Sequence, residues 1–224
     1  MSDEREETAA ATHEVLGNAW SKWGLVDDDV LTHLINPALM GGPRWPSMRQ
    51  AYRVARREGA LLLASDGLAD PFDDGPPDVN GCELEFYAIT SDPLERVAGS
   101  WLWDIVWQMS NFAAKHGGIR GLLDEMGTLS TELYDVHIPP EHASSFVNEH
   151  GRVGVLLGTG DPYVPEVVHG PLSTIRLVNI KLLTLGELEV AASEADPGRA
   201  RLTALFSAQG NPSHSSLRRS SVVV

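Results

Sequence analysis

The chain of 224 residues sets 31 Asp and Glu against 17 Lys and Arg, a formal net charge of −14, with 42% hydrophobic residues, 21% charged residues and one cysteine, Cys82. Such usage excludes wholesale disorder, and a single thiol excludes an intrachain disulfide or a zinc site built on several thiolates. The acidic excess repels phosphate backbones, no run approaches the roughly 18 apolar residues of a membrane span, and the acidic start MSDEREETAA is unlike a signal peptide. The expectation is a cytoplasmic protein that binds neither nucleic acid nor membrane.

Residues 1–8 read as an acidic disordered tail, followed by one domain over 9–208 and a flexible tail over 209–224. From about Thr8, Val15, Leu16, Ala19, Trp20 and Trp23 recur at helical spacing and Gly24 ends the run. A second short helix is expected from Asp28 to Ile35, stopped by Pro37, then a turn-rich connection from Met40 to Pro46. Strands are expected at Gln50–Arg57 and Ala60–Ala64, and a long loop at Gly67–Gly81. From Cys82 to Ile89, Leu84, Phe86 and Ala88 alternate with Glu83, Glu85 and Tyr87, the pattern of a half-buried strand.

The clearest helix covers Ser100–His116, where Leu102, Ile105, Val106, Met109, Phe112 and Ala113 form an apolar stripe closed by Gly117-Gly118. Trp103 and Trp107 read as core. Strands follow at Ser130–Ile138, ended by Pro139-Pro140, at Gly154–Leu157 and at Ile175–Leu183. Helices close the chain at Leu185–Ala195 and Pro197–Ser207. This order argues for an α+β fold, a mixed, mainly antiparallel sheet with helices packed on it.

Charge is unevenly spread. Arg44, Arg49, Arg53, Arg56 and Arg57 occur without an acid between Arg44 and Arg57, whereas nine acids and no base lie between Ala60 and Glu95. Either neighbouring strands pair opposite charges across the sheet, each pair worth roughly 0.2–1 kcal/mol, or a negative face recruits a basic protein.

Reaction chemistry is scarce. None of the three lysines follows a glycine, so the phosphate-cradling loop is missing. There is no Gly-x-Ser-x-Gly elbow and no His-Glu-x-x-His. The run His137-Ile-Pro-Pro-Glu141-His142 comes near a zinc peptidase motif, but it has one residue too many and two prolines set against a helix. With His150 it leaves open a metal-dependent hydrolase; no catalytic residue and no cofactor is otherwise indicated. Cys82 reads as an unreactive thiol.

Asp66-Gly-Leu-Ala-Asp-Pro-Phe72, then Gly81-Cys-Glu-Leu-Glu-Phe86, resembles the suppressor of fused family, with Ala69 in place of the usual serine. Trp101, Ile105 and Phe112 match its following helix, where Gln108 departs from the pattern. Gly154–Leu157 with Asp161-Pro162, and Leu177–Leu188, are similar to its later marks, so the resemblance runs from about Trp45 to Ala195. It implies a non-enzymatic protein-binding domain equivalent to the first of two domains in eukaryotic members. Bacterial relatives of this length are thought to be immunity proteins that neutralise secreted toxins.

The resemblance also implies that an extended peptide adds to the strand around Leu129–Val136, beside Phe112, although the residues alone read Phe112 as core. Asp66, Asp70, Asp73, Asp74, Glu83, Glu85 and Phe112 are therefore the expected partner contacts, and the expected partner is a basic, toxin-like protein. A dimeric scaffold joined through an open sheet edge is the remaining alternative.

Overall fold

A computed structural model of the chain describes residues 2–210 and 212–223. Residues 1, 211 and 224, which belong to the two expected tails, lie outside the described residues. A mixed sheet runs in the order β1 (Leu25–Val26), β3 (Ala51–Arg57), β4 (Ala60–Asp66), β5 (Leu84–Thr90), β9 (Thr174–Leu183), β7 (Val153–Leu157), β6 (Leu129–Leu133). Off this path, β2 (Leu31–Thr32) pairs β3, β8 (Val167–His169) pairs β9, and β10 (His214–Ser215) pairs β5. The β5–β9 and β5–β10 pairs are parallel and the others antiparallel. The mainly antiparallel α+β architecture is as the sequence predicts.

Both faces of the sheet are covered. Helix α2 (Trp101–His116) is capped by Ser100, whose hydroxyl accepts from the Trp103 N–H. It packs Leu102, Ile105, Val106 and Met109 against Val54, Leu63, Phe86 and Val178. On the opposite face, α1 (Ser2–Trp23) sets Leu16, Trp20 and Trp23 against Leu62, Tyr87 and Ile89. Helices α5 (Leu185–Ser193) and α6 (Ala195–Ala208) cover Leu156 and Leu183. Burying each such large side chain contributes about 1.5–3 kcal/mol. Strand β5, expected to be half-buried, is buried along its whole length because Trp20 lies over Tyr87, ring centroids 5.7 Å apart.

Other local expectations change. Helix α1 reaches back to Ser2, through the segment expected as a disordered tail. Asp28–Ile35 is not a helix: Leu31 and Thr32 pair with Tyr52 and Ala51 of β3. Asn36 caps a 3-10 turn at Pro37–Met40 instead, its side chain accepting from the Ala38 N–H at 2.9 Å. Pro139-Pro140 open the short helix α4 (Pro140–Phe146), since proline is well suited to a first helical turn. Helix α3 (Ile119–Met126) was not foreseen.

Within the segment expected to be a flexible tail, residues 213–217 are packed. Ser213 donates to Asp161 at 2.6 Å, Ser215 accepts from the Leu182 N–H at 2.8 Å, and Leu217 joins the core. Serine-rich sequence is compatible with burial once each hydroxyl has a partner.

Candidate functional site

The acidic stretch meets the arginines within the fold. Strand β4 pairs antiparallel with β3, placing Asp66 opposite Ala51 and within reach of residues flanking it. Arg49 Nη1 donates to Asp66 Oδ1 at 3.0 Å and Arg53 Nε to Asp66 Oδ2 at 2.7 Å. Burial alone raises the Asp66 carboxyl; the hydrogen bonds and charge of Arg49, with Arg53, outweigh it and hold the group below its ordinary value. Asp70 accepts from Ser47 at 2.8 Å, and His13 Nε2 of α1 lies 3.0 Å from its other oxygen.

Glu85 is fully buried. Its carboxyl accepts from the Gly67 N–H at 3.0 Å, the Ala69 N–H at 2.9 Å and the Ser65 hydroxyl, so it holds the Gly67–Asp70 turn in place. Burial pushes it up to about 8, helped by the charge of Asp66 and opposed by those hydrogen bonds. Asp66 and Asp70, each 2% exposed, and Glu85, 0% exposed, are thereby withdrawn from the partner-facing surface expected of them. They are structural, because the register and the covering helix α1 bury the stretch.

Of the other three expected acids, Asp74 is exposed and Asp73 and Glu83 are half-buried. Asp73 is paired with Arg44 at 2.9 Å and with Arg5, and Asp74 is exposed, 3.6 Å from Arg44. Glu83 lines a groove of about 460 Å³ with Phe72, Cys82, Gly117 and Arg120. Burial pushes the Cys82 thiol up to about 12, so it is no nucleophile at neutral pH.

At the far end of the sheet, β6 has a free edge among the described residues. In antiparallel ladders, successive residues point their backbone groups to alternate neighbours. Gly158 N–H donates to Asn179 O at 3.0 Å, which assigns the even residues of β7 to β9 and the odd ones, Val153, Val155 and Leu157, to β6. Their partners Leu133, Thr131 and Leu129 face β7. The N–H and C=O groups of Ser130 and Glu132 therefore point away from the sheet.

Tyr134, next in this outward series, is held by α2. The Gln108 carboxamide accepts from the Tyr134 N–H at 3.1 Å and donates to the Tyr134 carbonyl. It satisfies both groups as a neighbouring strand would. Phe112 lies one helical turn beyond Gln108 on the same flank, 45% exposed, with its ring 4.6 Å from that of His116. Phe112 is thus not core. Gln108, a mere departure from a motif in the sequence, is visible only as the residue four before Phe112.

The histidine run is split. His137, Glu141 and His142 line a groove of about 390 Å³, but His137 is engaged by Asp104, its N–H and Nδ1 lying 2.9 and 2.8 Å from one carboxylate oxygen. His150 sits elsewhere, beside Glu149. Among the described residues no three of His, Cys, Asp and Glu are grouped to hold a metal ion. Among them, too, no helix is long and apolar enough to cross a membrane.

No family model and no curated protein matches the chain. Solved structures do. The Sufu–Fu complex structure is similar with a TM-score of 0.58 and 15% identity over 93% of this chain and 89% of that one. Drosophila Suppressor of Fused is similar with a TM-score of 0.60 and 15% identity over 95% of this chain and 50% of that one. The chain has a suppressor of fused-like fold and spans half the length of the Drosophila protein.

Proposed function

We propose that this chain is a non-catalytic protein-binding module that takes an extended segment of its partner as an added strand on the free edge of β6. The observation that carries the reading is the outward pair of backbone sites at Ser130 and Glu132, bounded by the Gln108–Tyr134 contact and flanked by exposed Phe112. Main-chain hydrogen bonds supply affinity in this mode and neighbouring side chains supply selectivity. The chain's net charge of −14 favours a basic partner and speeds encounter with it. Asp74 and Glu83 are the expected acids left to meet it, Asp73 being held by Arg44 and Arg5. In this reading the partner is a secreted toxin and the chain its cytoplasmic immunity protein.

Replacing Ser130 with proline tests the idea, because proline removes only the outward N–H and edge strands tolerate it. Wild-type protein should capture a basic partner from native cells in a salt-sensitive complex, and S130P should lose it while melting normally. Recovery of no partner at low salt, or equal capture by S130P, overturns the reading. The same edge can also pair with a second copy; a dimer that S130P dissociates would establish that alternative.

A further inference from the structure

Seven of the thirteen large apolar side chains exposed among the described residues fall between Leu25 and Met48. Leu34 is 102% exposed and Met40 75%. Asn36 gathers several of them: its side chain caps the turn carrying Leu39 and Met40 and also donates to the Met48 carbonyl, with Ile35 adjacent in the chain. Apolar exposure gathered in one segment is what a docking surface requires.

The segment is anchored from beneath. The His33 ring lies 6.1 Å from Tyr52, 5.7 Å from Trp103 and 6.3 Å from Trp107, each edge-on. Its exposed residues are therefore carried on a supported segment, which lowers the ordering cost of binding. Acids bracket it. Asp28 and Asp29 are exposed ahead of it, and the Asp73 N–H donates to Pro46 O at 2.8 Å, which brings Asp73 and Asp74 to its other end. Arg44 is already paired with both of those acids.

The occupant follows from this chemistry. Between β2 and β3 the described chain forms no strand, so residues 33–50, which carry Leu34 to Met48, offer no sheet edge of their own. A partner must satisfy its own backbone and bring side chains, as a helix does. We propose that the surface formed by Leu34, Ile35, Leu39, Met40 and Met48 docks a basic amphipathic helix. The helix lays its apolar row on these side chains and directs Lys or Arg toward the exposed Asp28 and Asp29. Flexible methionines suit such a surface, since they repack against differently shaped partners. The surface belongs to the β2–β3 end of the sheet, opposite β6 in strand order, and does not depend on strand addition there.

The probe is a fluorescent Leu/Lys peptide about 18 residues long, with leucines along one helical face, against a permuted peptide of the same composition. Fluorescence anisotropy should show the striped peptide binding at least roughly tenfold more tightly. Leu34→Ser with Met40→Ser should erase that preference, and Asp28→Asn with Asp29→Asn should weaken binding mainly at low salt. The fully exposed Leu34→Gln serves as a second variant should the double change disturb folding. S130P should bind the peptide as wild type does, which separates this surface from the β6 reading. Equal affinity for the two peptides, unchanged binding by the Leu34 variants, or light scattering that shows copies pairing through this surface would each overturn the proposal.

Discussion

The turn around Asp66 and the outer edge of β6 both present polar groups in excess, and the fold treats them in opposite ways. At the turn every carboxylate is answered within the chain: Asp66 by Arg49 and Arg53, Asp70 by Ser47, Glu85 by Ser65 and two backbone N–H groups. At β6 the answering stops with Gln108 on Tyr134 and leaves the backbone of Ser130 and Glu132 outward. The difference teaches that charge density and availability are separate properties. A cluster of acids can be spent on holding a turn, while the backbone edge of a strand is left unpaired among the described residues.

Substitutions at the two regions should therefore diverge. The largest effect is expected for Asp66→Ala, which leaves Arg49 and Arg53 facing a vacant, largely buried position. Breaking such a pair costs about 3–5 kcal/mol, to be read from urea unfolding. Loss of less than about 1 kcal/mol would show that the network is not structural.

The next effect is a pH dependence. In the folded chain Glu85 is held at about 8, above its ordinary 4.5. Because the folded state holds this proton more firmly, its contribution is complete below the ordinary value and is lost as pH rises through about 8. Asp66, held below its ordinary value, acts in the other direction, with stability lost as pH falls through its folded value. Lys181, lowered by burial to about 7, disfavours folding as pH falls toward that value. The wild-type profile sums these, so the informative quantity is the difference from Glu85→Gln. Between about pH 5 and pH 8 the wild type should lose stability relative to E85Q, and parallel profiles would refute the assignment.

The smallest effect on stability should come from the open region. Phe112→Asp should shift unfolding by no more than about 0.5 kcal/mol, as surface changes do, yet abolish partner capture. A large loss of stability would return Phe112 to the core and remove the contrast.

Much of the framework is legible in the chain itself. The 3.6-residue apolar stripe of α2 and the alternation of β5 identified their elements, because burying one face requires a period. The Asp66–Phe86 motifs led to the suppressor of fused-like fold, although at 15% identity they did so through order and spacing alone. Short elements were hidden. Strands β1, β2 and β10 have two residues each and exist only because a longer strand lies beside them.

The sequence by itself determined the longer helices and strands, the fold class and the presence of opposed basic and acidic stretches, since these depend on local pattern and composition. Only the tertiary structure decided which acids are buried, because the register of β3 against β4 and the cover of α1 are long-range facts. It also decided that Phe112 faces solvent and that Gln108 ends the free edge of β6, for a side chain's environment depends on what the rest of the chain places opposite it.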